Sequence, residues 1–456
     1  MKYIKNMITF YLAFVLNFLA GFALIKILAI YMPQETLGLY FFASNAGLFF
    51  GGLLLLGFPL TIQRFVPMYI RDDRIENASA LIHVPALIHI TAGIFISILL
   101  LLTKGIPSTS IFLAFYILNT ITLYQTALIS NLKIFEYSLT SFARIFVIVC
   151  LVLFSRPFLT LKTLGIINLA TNMAFLLILF SLFPVSTRRW RETLSEIKDY
   201  WKYALLNQLL APFFHYLDSM LIPMFLPYSQ LSLFQIGRKL DMGARQTMEV
   251  PLQLTAPLIS FKRTDQVLSI EFAKKFRAFR LLYFYLAFFW FLLFEFAGKE
   301  IIRLISTPAY LPSYPYLMVL SFTLLLSTLY SADAMLARAT GNMRLFFFKD
   351  VVWVACFVIS FFLLTKPLGL QGTVLSFVIA TTSTALFHIY NYKVLHPTEY
   401  LYEFVKIAVI GIQAIIFTSS RNFLPSVIIL VLIVSLDFKN FRNAIKIIAE
   451  HKETTF

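Results

Sequence analysis

A chain of 456 residues that is 59% hydrophobic and only 13% charged is too apolar for a soluble globular domain. Its 50 Phe and 22 Tyr suit lipid-facing surfaces and membrane interfaces. The formal net charge of +16 therefore reads as membrane topology rather than nucleic-acid binding, and two cysteines, Cys150 and Cys356, make no disulfide framework or thiol–metal motif.

The basic start, Met1 to Lys5, runs into an apolar stretch without a small-residue cleavage site, so it reads as a first span that stays attached. A span needs about 20 apolar residues. On that rule helices are expected near 8–31, 37–62, 80–103, 110–131, 143–157, 164–184, 203–226, 231–260, 278–297, 313–337, 345–365, 370–391, 402–419 and 424–436. The fold class is all-α integral membrane, with about fourteen transmembrane helices.

With the N-terminus inside, the segments between spans sort by charge. The inside ones hold most of the Lys and Arg, among them Arg64, Arg71, Arg74, Arg144, Arg188, Arg189 and Arg280, while the outside ones hold Lys104, Arg156, Lys162, Lys299, Arg303, Lys366 and Arg421. This asymmetry places both termini on the cytoplasmic side of a cell membrane, with anionic lipid headgroups as partners of the basic segments. In 186–202, Trp190, Leu194, Ile197 and Trp201 recur at helical spacing, the pattern of a helix lying in the cytoplasmic interface. Glu295 and Lys299, four residues apart, are expected to pair at the outer end of their span.

Two stretches repeat in register. Pro33-Gln34-Glu35-Thr36-Leu37 follows the first span and Pro227-Tyr228-Ser229-Gln230-Leu231 the seventh; Asn17 and Asn207 precede them. Leu164-Gly165 opens the sixth span and Leu368-Gly369 the twelfth. An even number of helices per repeat gives a parallel duplication: an N-lobe at 1–185, a linker at 186–202, a C-lobe at 203–392, and a terminal helix pair with a tail at 393–456.

The most informative stretch is 231–260. It is long enough to cross a bilayer, yet Arg238, Asp241, Arg245 and Glu249 stack on one helical face within it. Charge at membrane depth is costly, so the face points at protein or at a water-filled cavity. Two readings stand: a cationic path for a substrate, or a ladder neutralised by pairing within the helix. Lys26, near the outer end of the first span, either joins the path or snorkels to headgroups. Asp218 either pairs with Lys26 or Arg238 or serves an ion. Asp333 and Arg338 offer an inner gate. His215, three residues before Asp218, fits a core histidine better than a proton relay, and His83 and His89 share a span without metal-ligand spacing. No catalytic constellation, metal site or phosphate-binding glycine loop is present in the sequence, so neither ATP hydrolysis nor a cofactor is expected.

At this point the chain resembles the multidrug/oligosaccharidyl-lipid/polysaccharide exporter superfamily, and within it the polysaccharide-biosynthesis (Wzx-type) flippases. Leu37-Gly38-Leu39-Tyr40, Gly57-Phe58-Pro59 through Arg64-Phe65, Asp218 and Gly341-Asn342 carry the likeness. Ser232-Leu233-Phe234 departs from the glycine-tyrosine usual at the start of the second lobe. The resemblance implies two six-helix lobes around a central cationic cavity. There the pyrophosphate and sugar of a lipid-linked oligosaccharide cross while the polyprenyl tail stays in lipid. Lys26, Arg238 and Arg245 would bind the anion; Asp218, Asp241, Glu249 and Asp333 would gate it or couple transport to H+ or Na+. The rivals are a cation-coupled drug antiporter, a lipid II flippase and, from another class, a membrane glycosyltransferase or polymerase.

Overall fold

The apolar runs form long helices joined by short turns. The computed structural model describes residues 2–104, 106–131, 133–260, 270–334, 343–391, 397–420 and 435, and no strand occurs among them. Ten described helical stretches are long and apolar enough to cross a membrane. The protein is a multi-pass, all-helical membrane protein. The last expected span, 424–436, and the tail lie outside the described residues, apart from Ser435.

The chain divides into two compact units, one of residues 1–236 with 302–311 and one of 237–301 with 312–456. The first unit begins with α1 (Lys2–Tyr31), α2 (Gln34–Leu54) and α3 (Phe58–Arg71). The sequence pattern runs through 37–62 as one span, but the helix breaks within it. Leu56 and Gly57 take left-handed φ of 50° and 80°. A Cβ on Gly57 would come within 2.4 Å of the Leu205 amide nitrogen, so glycine meets both the turn and the close approach. Pro59, in the first turn of α3, has no N–H to leave unpaired.

Next come α4 (Ile75–Lys104), α5 (Ile106–Ser130), α6 (Ile134–Phe154), α7 (Leu161–Ser181) and α8 (Trp190–Leu221). Ile62, Val66, Leu81, Ile121, Tyr124, Leu128, Leu179 and Ile197 are buried together in the core where α3, α4, α5, α7 and α8 pack. The two histidines of α4 are satisfied core groups. His83 bonds the Tyr124 hydroxyl and the Pro184 carbonyl, at 3.0 and 3.2 Å. His89 bonds the Thr120 hydroxyl and the Gly51 carbonyl, at 2.8 and 2.9 Å.

Most of the expected interfacial segment at 186–202 lies in α8, one 32-residue helix that runs on through Pro212. Its apolar stripe packs on the core of the first unit. Phe58 lies 6.0 Å from the Trp190 ring and 5.7 Å from the Trp201 ring, and the Trp201 indole donates to the Leu56 carbonyl at 2.7 Å. Beside the stripe, Arg74 pairs with Glu192 at 2.8 Å and with Glu196 at 2.5 Å, and Arg189 pairs with Glu76 at 3.0 Å. The Arg74 hydrogen bond, with help from the Tyr69 hydroxyl, holds the Glu196 carboxyl below the usual carboxylate range despite some burial.

The long helix α9 (Tyr228–Ser260) contains the dividing point, between Ile236 and Gly237. In the second unit α10 (Ile270–Ile305) contributes residues to Ile301, with α11 (Tyr314–Ser327), α12 (Met343–Leu368), α13 (Leu370–Asn391) and α14 (Pro397–Ser420). α12 packs along α13, and α11 packs on α13 and α14.

Candidate functional site

α9 starts at the second copy of the repeated turn, and the first copy caps it: Glu35 Oε2 accepts the Ser229 backbone N–H at 2.8 Å. Gly38 lies so close to Tyr228 that a Cβ would fall 1.9 Å from the Tyr228 carbonyl oxygen, which explains the small residue in Leu37-Gly38-Leu39.

Nearly three turns further on, the charged face forms. Arg238 Nη1 and Arg245 Nε both donate to Asp241 Oδ2, at 2.8 and 2.9 Å. Arg245 also reaches α11 through Nη2, to the Thr323 hydroxyl at 2.6 Å and the Leu320 carbonyl at 3.5 Å. The Arg238 guanidinium lies 4.7 Å from the centroid of the Phe377 ring on α13, within cation–π reach. The side chain of Asp241 is 0% exposed and that of Arg238 5%, whereas Arg245 keeps 25%. Pairing within the helix, one of the two readings of the sequence, is therefore real for Arg238, Asp241 and Arg245. It does not close the cluster. Two guanidinium groups share one carboxylate oxygen, and the Arg245 side chain stays a quarter exposed. An arginine in that state can meet phosphate oxygens with charge-assisted hydrogen bonds. The Glu249 side chain lies outside the described residues.

The remaining candidates fall elsewhere. Lys26 belongs to the first unit. Its ammonium donates to the carbonyls of Arg303, at 2.8 Å, and Ser306, so it caps the C-terminal end of α10. Asp218 is buried at the end of α8, where its Oδ1 accepts from the Ser219 amide and hydroxyl, at 2.5 and 2.8 Å. The Ser219 hydroxyl in turn accepts from Asn45 at 2.8 Å and Gln235 at 2.7 Å, a buried polar net joining α2, α8 and α9 in the first unit. His215, expected in the core, is exposed.

Asp333 belongs to a second charge cluster. Its Oδ2 accepts from Arg280 Nη1 and from the Tyr400 hydroxyl, the latter at 2.6 Å, and lies 3.7 Å from His388 Nε2. Arg280 Nη2 also donates to Glu403 at 2.7 Å. Charge class alone sent Arg280 to an inside loop, and its side chain is in fact 3% exposed. Arg338, the expected gate partner, lies outside the described residues, as do Gly341 and Asn342. Glu295 and Lys299 do not pair. Glu295 accepts from Gln413 of α14 at 2.7 Å, and Lys299 sits 5.1 Å over the Tyr314 ring, because each side chain finds a partner on a neighbouring helix. Arg144 also corrects the reading, since it stands midway along α6 and not in a loop. Among the described residues no group of three or more His, Cys, Asp or Glu could hold a metal ion.

No protein-family model matches the chain, and no curated protein matches it. Its fold, however, is that of the MOP-superfamily transporters. It is similar to the lipid II flippase MurJ in an inward closed conformation, with a TM-score of 0.65 at 14% identity over 96% of this chain and 99% of that one. It is also similar to a MOP superfamily transporter from Pyrococcus furiosus described as having a binding pocket of reverse polarity, with a TM-score of 0.59 at 14% identity over 90% and 96% of the two chains. A third structure is that of the MATE multidrug transporter DinF-BH, with a TM-score of 0.60 at 12% identity over 86% and 96%.

Proposed function

We propose that the protein is a flippase that moves a polyprenyl-pyrophosphate-linked oligosaccharide across the cytoplasmic membrane by alternating access, with both termini in the cytoplasm. The observation that carries this reading is the Arg238–Asp241–Arg245 cluster: two guanidinium groups on one buried carboxylate, with a quarter of the Arg245 side chain exposed. A drug antiporter for organic cations favours an excess of carboxylates, whereas this cluster favours an anion. The likeness to MurJ, a lipid II flippase, supports a lipid-linked cargo, and MATE transporters of the same fold occur in outward-facing and inward-facing conformations. Arg245 offers the pyrophosphate its fork and must release it on the far side, so binding has to be moderate. Asp218 and Asp333 are the carboxylates to which H+ or Na+ coupling is assigned. The duplication into lobes at 1–185 and 203–392, with a terminal helix pair, belongs to the same proposal and is supported by the matched turns at Pro33 and Pro227.

The test is reconstitution in liposomes with a fluorescent polyprenyl-diphosphate sugar, following its appearance on the opposite leaflet. Arg245→Ala should cut the rate about tenfold or more, given the strength of a charge-assisted hydrogen bond, with membrane abundance unchanged. Normal transport by that variant removes Arg245 from the path. Uptake of an organic cation in place of the lipid points to the antiporter, and a covalently altered product points to the glycosyltransferase or polymerase class.

A further inference from the structure

Arg144 stands midway along α6, about 15 Å from either end of a helix that crosses a hydrocarbon layer about 30 Å thick. Guanidinium stays charged at any physiological pH, so an arginine at that depth needs an anion or water. Its surroundings among the described residues hold no carboxylate. Nη1 donates to Asn172 Oδ1 on α7 at 3.1 Å, and the buried Nε meets no hydrogen-bond partner among the described residues. The titratable groups that face it are the phenols of Tyr40 on α2 and Tyr137 on α6, both neutral at pH 7.

The surroundings are built rather than accidental. Asn172 donates its own amide to the Ala114 carbonyl at 2.8 Å, which turns its oxygen towards Arg144. On α6, Tyr137, Thr140, Ser141 and Arg144 share one face by helical spacing. Phe135, Leu139 and Phe146, on the opposite face, are exposed as lipid-facing residues should be. Asn17 of α1 donates to the Ser141 hydroxyl at 3.2 Å, extending the polar stripe to a third helix. Arg144 itself is half-buried.

We infer that Arg144, held by Asn172 and flanked by Tyr40, Tyr137 and the Asn17–Ser141 pair, is a binding site for a phosphate or diphosphate oxyanion within the first compact unit. It belongs to a different unit from the α9 cluster, and its role as a stage on a transport path rests on the flippase reading, although binding itself does not. The Nε of Arg144 is left as a charged donor for a phosphate oxygen, and the hydroxyls around it suit the ester or sugar oxygens beyond.

The test uses the full chain purified into phosphatidylcholine nanodiscs. Modification of Arg144 and Arg245 by phenylglyoxal is followed by peptide mass spectrometry with no added anion, with inorganic pyrophosphate, with farnesyl diphosphate, and with phosphatidylglycerol in the disc. Arg144 should react without anion and slow by about tenfold or more with a diphosphate, the range expected for a charge-assisted contact. Protection by pyrophosphate and farnesyl diphosphate alike supports a site for the free oxyanion. Protection by farnesyl diphosphate alone supports a lipid-linked diphosphate, and by phosphatidylglycerol alone a membrane phosphodiester. An unreactive Arg144, or equal rates under all conditions, overturns the site. Because the measurement uses the unaltered protein, loss of folding in a variant cannot imitate the result. Protection at Arg144 with none at Arg245 upholds this site while removing the α9 cluster from the anion path; the reverse pattern overturns this site and leaves the α9 cluster in place.

Discussion

Replacing Asp241 by Asn separates the structural work of the α9 cluster from its chemistry. Asp241 Oδ2 accepts from two guanidinium groups at 2.8 and 2.9 Å, and the carboxylate has no exposed surface. A charge-assisted hydrogen bond contributes about 1.5–3 kcal/mol, and removing one member of a buried ionic group costs about 3–5 kcal/mol because the other charges stay buried. Asn retains one acceptor oxygen, so Asp241→Asn should cost about 3 kcal/mol, at the low end of that range. Arg245→Gln should cost about 1–2 kcal/mol, because Arg245 is a quarter exposed and Arg238 still pairs with Asp241. The double variant should cost less than the sum, by about 1.5 kcal/mol, since either change removes the same bond. The assay is a reversible SDS unfolding titration in mixed micelles. A loss below about 1 kcal/mol for Asp241→Asn, or strict additivity in the cycle, refutes the shared-carboxylate account.

Lys26→Met keeps the apolar stem and removes the two hydrogen bonds to the end of α10. Stability should fall by about 1–2 kcal/mol in the same titration, with transport per folded molecule within about twofold of the parent. Lost transport at unchanged stability restores the substrate role read from the sequence. Lowering pH tests the contacts of α3 and α4 with α8. The folded Glu196 carboxyl titrates below its unfolded range, so its contribution is complete above about pH 4.3 and disappears as pH falls through the lowered value. Glu196→Gln should flatten the acid limb of thermal stability between about pH 5 and 3, and an unchanged limb contradicts the assignment.

Composition and hydropathy determine the class of this protein: long apolar runs have nowhere to go but a bilayer, and helices are the open solution there for a chain without strand patterning. Helical spacing also determines that Arg238, Asp241 and Arg245 share a face, since residues three and four apart are neighbours on any helix. What each charge then does was decided by tertiary structure. Lys26 found carbonyls at a helix end some 280 positions away, Glu295 took Gln413 in place of Lys299, and the tryptophan stripe of α8 found Phe58. Arg144 is the sharpest case. Positive charge near a span boundary reads as a loop residue, because hydropathy counts its cost without seeing the asparagine that holds it. Partners distant in sequence leave no periodic trace, so only the packing of whole helices brings them together.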